Sequence, residues 1–133
     1  GELKNVEFVA NEAPNGGGIC LYTNSTLNIT DVVANKNIAQ SSGGFIYISK
    51  STLGITSSDD VTSIVGGDDS SFANISASGA AISVDSNGTI NLDKIDFKNN
   101  HTVLSETGSG NSGGALCIYG VATVTNCNFI IFS

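Results

Sequence analysis

The chain has 133 residues, 40% of them hydrophobic, and a formal net charge of -7. This length and hydrophobic content are sufficient for one folded domain with a core and argue against a disordered polymer. The five basic residues are all lysines, so no basic patch for nucleic acid is expected. No apolar run approaches the roughly 20 residues of a spanning helix, which argues against direct membrane insertion.

The elements, taken along the chain, form a repeat. One apolar run follows a pair of small residues at 17–21, 44–48, 80–84 and 114–118. A second alternating run follows at 27–29, 53–55, 90–92 and 122–124. A third lies at 6–8, 32–34, 95–97 and 127–129, and an asparagine often follows it. Three short strands in each repeat, separated by turn residues, predict a triangular coil.

Stacked coils pair each strand with its equivalent one coil away, at a spacing of about 4.8 Å. The alternation then predicts inward columns such as Ile19, Ile46, Ile82 and Leu116, and a corner column of Phe8, Ala34, Phe97 and Phe129. We therefore expect an all-β fold, a right-handed parallel β-helix of about four to five coils with three short strands per coil. An ordinary β-sandwich is the alternative, but it does not require the same register in every repeat.

The coil corners have their own motif residues. Glycine is expected there because a corner needs positive φ or a close approach between neighbouring coils. The predicted structural positions are Gly17, Gly18, Gly43, Gly44, Gly79, Gly113, Gly114, Phe8, Asn11, Phe97, Asn100 and Phe129.

Residues 1–133 are expected to form a single β-helix segment that is part of a longer repeat protein. Two stretches break the repeat and are predicted to be loops that leave the stack, at about 57–78 and 102–112. Loops of repeat proteins often cluster on one side and bind ligands.

The Gly-Gly-Ala-Leu and Phe-x-x-Asn segments at 113–116, 8–11 and 97–100 resemble the repeat of the chlamydial polymorphic membrane proteins. Similar repeats occur in large surface proteins of protists. The resemblance implies the β-helical passenger of an autotransporter adhesin, exported through a membrane barrel that would belong to a parent chain.

The acidic and polar residues provide few candidates for a metal-binding or catalytic site. The carboxylates of Asp59, Asp60, Asp68 and Asp69 are weak candidates for Ca²⁺, which takes oxygen ligands, but their spacing matches no known loop. No outward column of acids suited to sugar hydrolysis is predicted, so a polysaccharide-processing enzyme is a third choice. The outward side of the second run is rich in Thr and Asn, a surface for glycans or, as a lesser candidate, ice.

Five Asn-x-Ser/Thr sequons are candidate N-glycosylation sites if the chain is exported from a eukaryotic cell. They begin at Asn24, Asn28, Asn74, Asn87 and Asn100.

The sequence contains three cysteines. Cys20 and Cys117 are predicted at the same outward position of coils about three apart, too distant for a disulfide within the chain. Cys127 is predicted to point inward as a small apolar residue.

The sequence thus predicts a non-enzymatic extracellular segment, an adhesin-like scaffold on a cell surface, with no cofactor. The expected partner is a host-cell or matrix protein or glycan. The alternative is a filament subunit in which copies stack end to end, because open β-helix ends expose unpaired strand edges.

Overall fold

The computed structural model describes residues 1–103 and 112–131. In these residues the chain is all-β, without an α-helix, and every described strand pair is parallel. The predicted all-β class is confirmed. The strands are β1 Glu2–Val9, β2 Glu12–Asn15, β3 Ile19–Tyr22, β4 Thr26–Asn35, β5 Ile38–Ser42, β6 Ile46–Ser49, β7 Thr52–Thr56, β8 Ser63–Gly66, β9 Ile75–Ser76, β10 Ile82–Val84, β11 Thr89–Asp93, β12 Ile95–Lys98, β13 His101–Thr102, β14 Leu116–Ile118, β15 Val121–Thr125 and β16 Asn128–Ile130.

The strands form three separate sheets. The amide sheet contains β2, β5, β9 and β13; the aliphatic sheet contains β3, β6, β10 and β14. The remaining eight strands form the long sheet, in the order β15-β11-β7-β4-β8-β12-β16 with β1 beside β4. From β2 onward the chain enters the amide, the aliphatic and then the long sheet, and repeats this order to β16.

Strand register follows the columns expected from the alternation. In the aliphatic sheet Ile46 pairs with Ile19 on one side and Ile82 on the other, and Ile82 pairs with Leu116. In the long sheet Ile55 lies between Ile29 and Leu92 in the same way. The central members are fully buried and form one apolar core, so the stabilising burial runs along the stacked columns and not within any one repeat.

The phenylalanine corner contains two residues that were not expected, Val65 and Phe45. Ala34 pairs with Phe8 and with Val65, and Val65 pairs with Phe97. Phe45 also packs here, with its ring centroid 5.3 Å from that of Phe8. A Cβ on Gly18 would lie 2.8 Å from Phe45 Cδ1, so the glycine makes room for this ring.

The prediction that residues 57–78 leave the stack was wrong in its central part. The segment contains β8, which pairs with β4 and β12, and β9, which pairs with β5 and β13. Strand β8 has only two apolar residues, Ile64 and Val65, between acidic and polar flanks, and therefore gives little alternation. Of the second predicted loop, Thr102 belongs to β13 and residues 104–111 lie outside the described part of the chain.

The amide sheet is also a correction to the expected three strands per repeat. Its strands are short and mostly polar, and Ala39 and Ser76 are among their few buried residues. Hydrophobic alternation therefore does not reveal them. The second and third predicted runs, in contrast, both belong to the long sheet, and in β4 they form one continuous strand.

Four asparagines form a ladder at the corner between the long sheet and the amide sheet: Asn11, Asn37, Asn74 and Asn100. Each of the first three donates from Nδ2 to Oδ1 of the next, at 2.9 Å in all three pairs. Each Oδ1 from Asn37 onward also accepts from the main-chain N–H of the previous asparagine, at 3.1 to 3.2 Å. We call this set the asparagine ladder.

The ladder keeps its position although the repeats differ in length. Its members are separated by 26, 37 and 26 residues. The longer repeat holds its extra residues in two excursions on either side of β8, at 57–62 and 67–73. The second contains a 3₁₀ helix, Ser70–Phe72, and is fixed by the ion pair of Asp68 with Lys98 at 3.2 Å.

A column of glycines occupies the turn before the aliphatic sheet. Gly16, Gly43, Gly79 and Gly113 have φ between 60° and 67°, a left-handed conformation that glycine adopts without strain. The sequence pattern did not include Gly16. Gly17 and Gly44 serve a different need, because a Cβ there would lie 2.4 Å and 2.2 Å from a carbonyl oxygen of the next repeat. A Cβ on Gly114 would have no atom of the described residues within 4 Å, apart from those of its chain neighbours.

Replacement of Asn74 by alanine is expected to destabilise the fold strongly. The amides of Asn37 and the carbonyl oxygen of Ala34 would lose their partner in a site where Asn74 is 0% exposed. A buried polar group left without a partner costs about 1–3 kcal/mol, so we expect a loss of about 2–5 kcal/mol in the free energy of unfolding. Urea denaturation measures it.

The matched control is Asn91→Ala, because Asn91 is exposed on β11. It should change the free energy of unfolding by less than about 0.5 kcal/mol. Equal effects of the two substitutions would show that the ladder does not stabilise the fold.

Candidate functional site

The outward side of the long sheet is a flat polar surface, which we call the polar face. Pairing places Thr52 between Thr26 and Thr89, and Asn91 between Gly54 and Thr123. The predicted outward ladder is therefore continuous across four strands. The polar face consists of Thr26, Asn28, Thr30, Thr52, Gly54, Thr56, Thr89, Asn91, Asp93, Val121, Thr123 and Thr125.

Most side chains of the polar face have no partner within the described residues. The amides of Asn28 and Asn91 and the hydroxyls of Thr52 and Thr89 make no hydrogen bond there. The exceptions are Asp93 and Thr125: Asp93 accepts from Thr125 Oγ1 at 3.2 Å and from Asn126 Nδ2 at 3.0 Å, and Thr125 Oγ1 also lies 3.3 Å from the carbonyl oxygen of Leu92. The face thus presents donors and acceptors that water or a ligand must satisfy.

A shallow, open cavity of about 380 Å³ lies where the aliphatic sheet turns into the polar face. It is lined by residues 24–26 and 50–52 and by Asn87 and Thr89. We call it the corner cavity. Main-chain bonds from Asn24 to Lys50 at 2.7 Å and from Thr89 to Ser51 at 2.9 Å connect the three repeats that line it.

Serine hydroxyls hold the base of the corner cavity. Ser51 Oγ accepts from the N–H of Ser25 at 3.2 Å and donates to the carbonyl of Ser49 at 3.0 Å. Ser25 Oγ donates to the carbonyl of Tyr22 at 2.7 Å. These bonds fix the backbone at the turn and leave the Asn and Thr side chains to face outward.

Lys50 is the one charged residue that lines the corner cavity, and Asp85 is its neighbour. The hydroxyl of Ser49, which donates to Asp85 Oδ2 at 2.5 Å, lowers the pKa of this carboxyl, and Lys50 contributes to the same shift. The carboxylate therefore stays ionised and offsets the lysine charge.

All three tyrosines of the sequence point outward from the aliphatic sheet or from its end. Tyr22 and Tyr119 are 52% and 68% exposed. The ring centroids of Tyr22 and Tyr47 are 5.7 Å apart. Exposed aromatic rings therefore lie on the outward side of the aliphatic sheet and at its end.

The four candidate calcium ligands are not brought together. Asp59 and Asp60 lie in the first excursion, while Asp68 pairs with Lys98 and Asp69 accepts from Ser71 in the second. Within residues 1–103 and 112–131, no group of three or more His, Cys, Asp or Glu side chains is arranged to hold a metal ion.

The five sequons divide into two groups. Asn24, Asn28 and Asn87 are exposed, and whether they carry glycans stays a prediction. Asn74 and Asn100 belong to the asparagine ladder and are 0% and 8% exposed. Nδ2 of Asn74 already donates to Asn100 and Ala34, so a glycan on that nitrogen is incompatible with this fold.

The three cysteines are free. Pairing places Tyr47 and Ser83 between Cys20 and Cys117 in one column, as expected, although Cys117 is buried. Burial raises the pKa of the Cys20 and Cys127 thiols. Cys127 is half-buried and packs against the core.

Asp31 is a carboxylate that the sequence did not single out. It accepts from the N–H and the hydroxyl of Ser58, at 2.8 Å and 2.5 Å, and so ties the first excursion to β4. These two bonds lower the pKa of Asp31, the hydroxyl having the larger effect. Its φ of 63° is left-handed, a conformation that asparagine also tolerates.

None of the helical structure in the described residues is long and apolar enough to span a bilayer. No family model matches the chain, and neither a curated protein nor a solved structure matches it. The resemblance to the polymorphic membrane proteins stays a prediction that depends on the repeat motifs.

Expression in a eukaryotic secretory host should give glycans on Asn24, Asn28 or Asn87 only. Glycopeptide mass spectrometry of the folded, soluble monomer measures the occupancy of each site. Asn74 and Asn100 are the internal controls, since each begins a sequon but is buried and donates from its side-chain nitrogen to a carbonyl oxygen. Occupied Asn74 in protein with unchanged thermal stability would contradict the ladder.

Asp31→Asn should reduce the acid sensitivity of the fold. A carboxyl whose pKa is lower in the folded than in the unfolded chain stabilises the fold above its ordinary pKa of 3.8, and this stabilisation disappears as pH falls through the folded-state value. The slope of unfolding free energy against pH below about 4 should therefore be smaller in the variant. Ser58→Ala should act in the same direction, whereas Ser86→Ala, at an exposed serine, should leave the slope unchanged.

Proposed function

We propose that the chain is a segment of a right-handed parallel β-helix that serves as a non-enzymatic binding surface outside the cell. The observation that carries the proposal is the polar face, a flat array of unpaired hydroxyls and amides with matched register in four strands. The partner is a host-cell or matrix protein or glycan, in keeping with the adhesin passengers that the repeat resembles.

The β-helical interpretation is supported by the order in which the chain visits its sheets. Successive repeats enter the amide, aliphatic and long sheets in the same sequence, and each strand pairs in parallel with its equivalent in the next repeat. Connections between parallel strands of one sheet are right-handed in nearly all proteins. A continuous coil with this hand accounts for the three sheets, the shared core and the columns of left-handed turn residues.

A binding role is favoured over hydrolysis by the placement of the acids. Sugar hydrolysis usually needs two carboxyl groups about 5–9.5 Å apart, and on paired strands that places acids at matching positions. In the described strand pairs no Asp or Glu faces another; Asp96, for example, pairs with Ile64 and Asn128.

Self-association is the second candidate, favoured by the edge strands β15 and β16. Val121, Val124 and Phe129 on these strands are 64%, 39% and 52% exposed. A further strand would cover them, either from a continuing polypeptide or from a second copy.

Microbeads coated with the chain should be retained on monolayers of epithelial cells or on immobilised matrix proteins. Thr52→Arg, which places a long charged side chain in the middle of the polar face, should reduce retention severalfold. Thr62→Arg is the matched control, because Thr62 is exposed in the first excursion, away from the face. Thermal melting of both variants confirms that they are folded.

Retention no higher than that of beads coated with an unrelated protein would refute the binding role, and equal retention of the two arginine variants would refute the polar face as the surface. Release of new reducing ends from a panel of polysaccharides would show that the chain hydrolyses them and would refute the proposal that it is not an enzyme. Light scattering during gel filtration should give a concentration-independent monomer, whereas growth of the mass with concentration would favour the filament.

A further inference from the structure

The corner cavity combines a fixed frame with unpaired polar side chains. Its three lining segments are joined by main-chain bonds, including one from Thr52 to Ser25 at 2.9 Å. The amides of Asn24 and Asn87 and the hydroxyls of Thr26, Thr52 and Thr89 have no hydrogen-bond partner among the described residues. A ligand that forms hydrogen bonds with these groups would cost little conformational entropy, because short side chains on a fixed backbone have few rotamers to lose.

The charge of the corner cavity selects an uncharged ligand. Lys50 is neighboured by the ionised Asp85, so the net charge of the corner is close to zero although the chain carries -7. A phosphate or sulfate would be expected to need several cations, and a metal ion several carboxylates. The lining instead offers amide and hydroxyl groups, which both donate and accept hydrogen bonds as sugar hydroxyls do.

An exposed aromatic ring lies on the strand that leads into this turn, close in sequence to the lining residues. Tyr22 ends β3 two residues before Asn24, and its carbonyl oxygen accepts the Ser25 hydroxyl. Its side chain is 52% exposed and lies beside the ring of Tyr47. The apolar face of a sugar ring can pack on such a ring while its hydroxyls reach the polar lining.

We propose that the corner cavity is a binding site for an uncharged oligosaccharide, with one sugar ring against Tyr22 and sugar hydroxyls bonded to Asn24, Asn87 and Thr52. The proposal depends on the proposed function, since it names the ligand class and the place of contact on that surface. The volume of 380 Å³ lies in the lower part of the range for small-molecule sites, about 300–1,000 Å³. The site therefore accommodates a short stretch of a glycan whose remainder runs along the polar face.

The site also makes glycosylation and ligand binding mutually exclusive. Asn24 and Asn87 are both cavity residues and sequon residues, so an attached glycan would occupy the space that the ligand needs. Chain produced in bacteria, which presents both amides unmodified, is the material for the test.

The test is isothermal titration of this chain with neutral oligosaccharides of glucose, mannose, galactose and N-acetylglucosamine. We expect at least one series to bind, with affinity independent of salt. Asn87→Ala and Tyr22→Ala should each weaken binding about two- to tenfold, the effect of one neutral hydrogen bond or one ring contact. Thr62→Ala is the matched control, because Thr62 is exposed in the first excursion, outside both the cavity and the polar face, and it should change the dissociation constant less than twofold.

The outcomes separate this inference from the proposed function. One outcome is that no neutral oligosaccharide binds, while coated beads are still retained and Thr52→Arg still reduces their retention. The cavity proposal is then wrong, and the proposed binding role of the polar face is not affected. Binding that Asn91→Ala weakens as much as Asn87→Ala would place the sugar on the open face and also refute the cavity. Binding restricted to acidic oligosaccharides, and lost in salt, would refute the uncharged ligand. Loss of both sugar binding and bead retention would refute both proposals.

Discussion

The asparagine ladder links four successive repeats of the fold through side-chain hydrogen bonds. A column of apolar side chains resists a shift of register by one residue, which would turn its members outward, but it resists a change in repeat length poorly. A buried asparagine amide has two donors and an acceptor, and every one of them must find a partner. Asn37 and Asn74 satisfy theirs only when the neighbouring repeats each place an asparagine at the same corner. The ladder therefore fixes the register of neighbouring repeats at the corner between the apolar long sheet and the polar amide sheet.

This constraint explains why the irregular segments lie where they do. The repeat between Asn37 and Asn74 is longer than its neighbours, yet β8 still pairs with β4 and β12 in register. The additional residues are placed at turns, and their ends are tied down locally by Asp31 with Ser58 and by Asp68 with Lys98. Length can vary at such turns with little effect on the core, because the entropy of closing a longer loop grows slowly. The apolar columns keep the same partners in long and short repeats.

Columns whose members alternate clearly could be predicted from the sequence, and the others could not. Ile19, Ile46 and Ile82 occupy the same position of the sequence motif in their repeats, so their pairing follows from an alignment of the repeats. Val65 was missed because its strand offers two apolar residues and the phenylalanine of the motif is absent. The amide sheet was missed because its inward positions are Ala, Ser and Asn, which alternation of hydrophobic residues does not mark. The polar face was predictable, since outward positions follow once the inward ones are assigned; the corner cavity was not, because it needs three turns from different repeats to meet.

Asparagine has opposite roles on the two sides of the sheet stack, and its sequence context does not tell them apart. Asn74 and Asn87 both begin a sequon, but Asn74 has its amide bonded within the core while Asn87 presents an unpaired amide to the corner cavity. What distinguishes them is register: Asn74 aligns with Asn37 and Asn100, whereas the equivalents of Asn87 lie at a turn whose backbone is fixed by serines. The same short polar side chain thus contributes to stability where neighbouring repeats supply its partners. Where they do not, its unused hydrogen bonds remain for a ligand, which is why the argument for binding centres on the turn between the aliphatic sheet and the polar face.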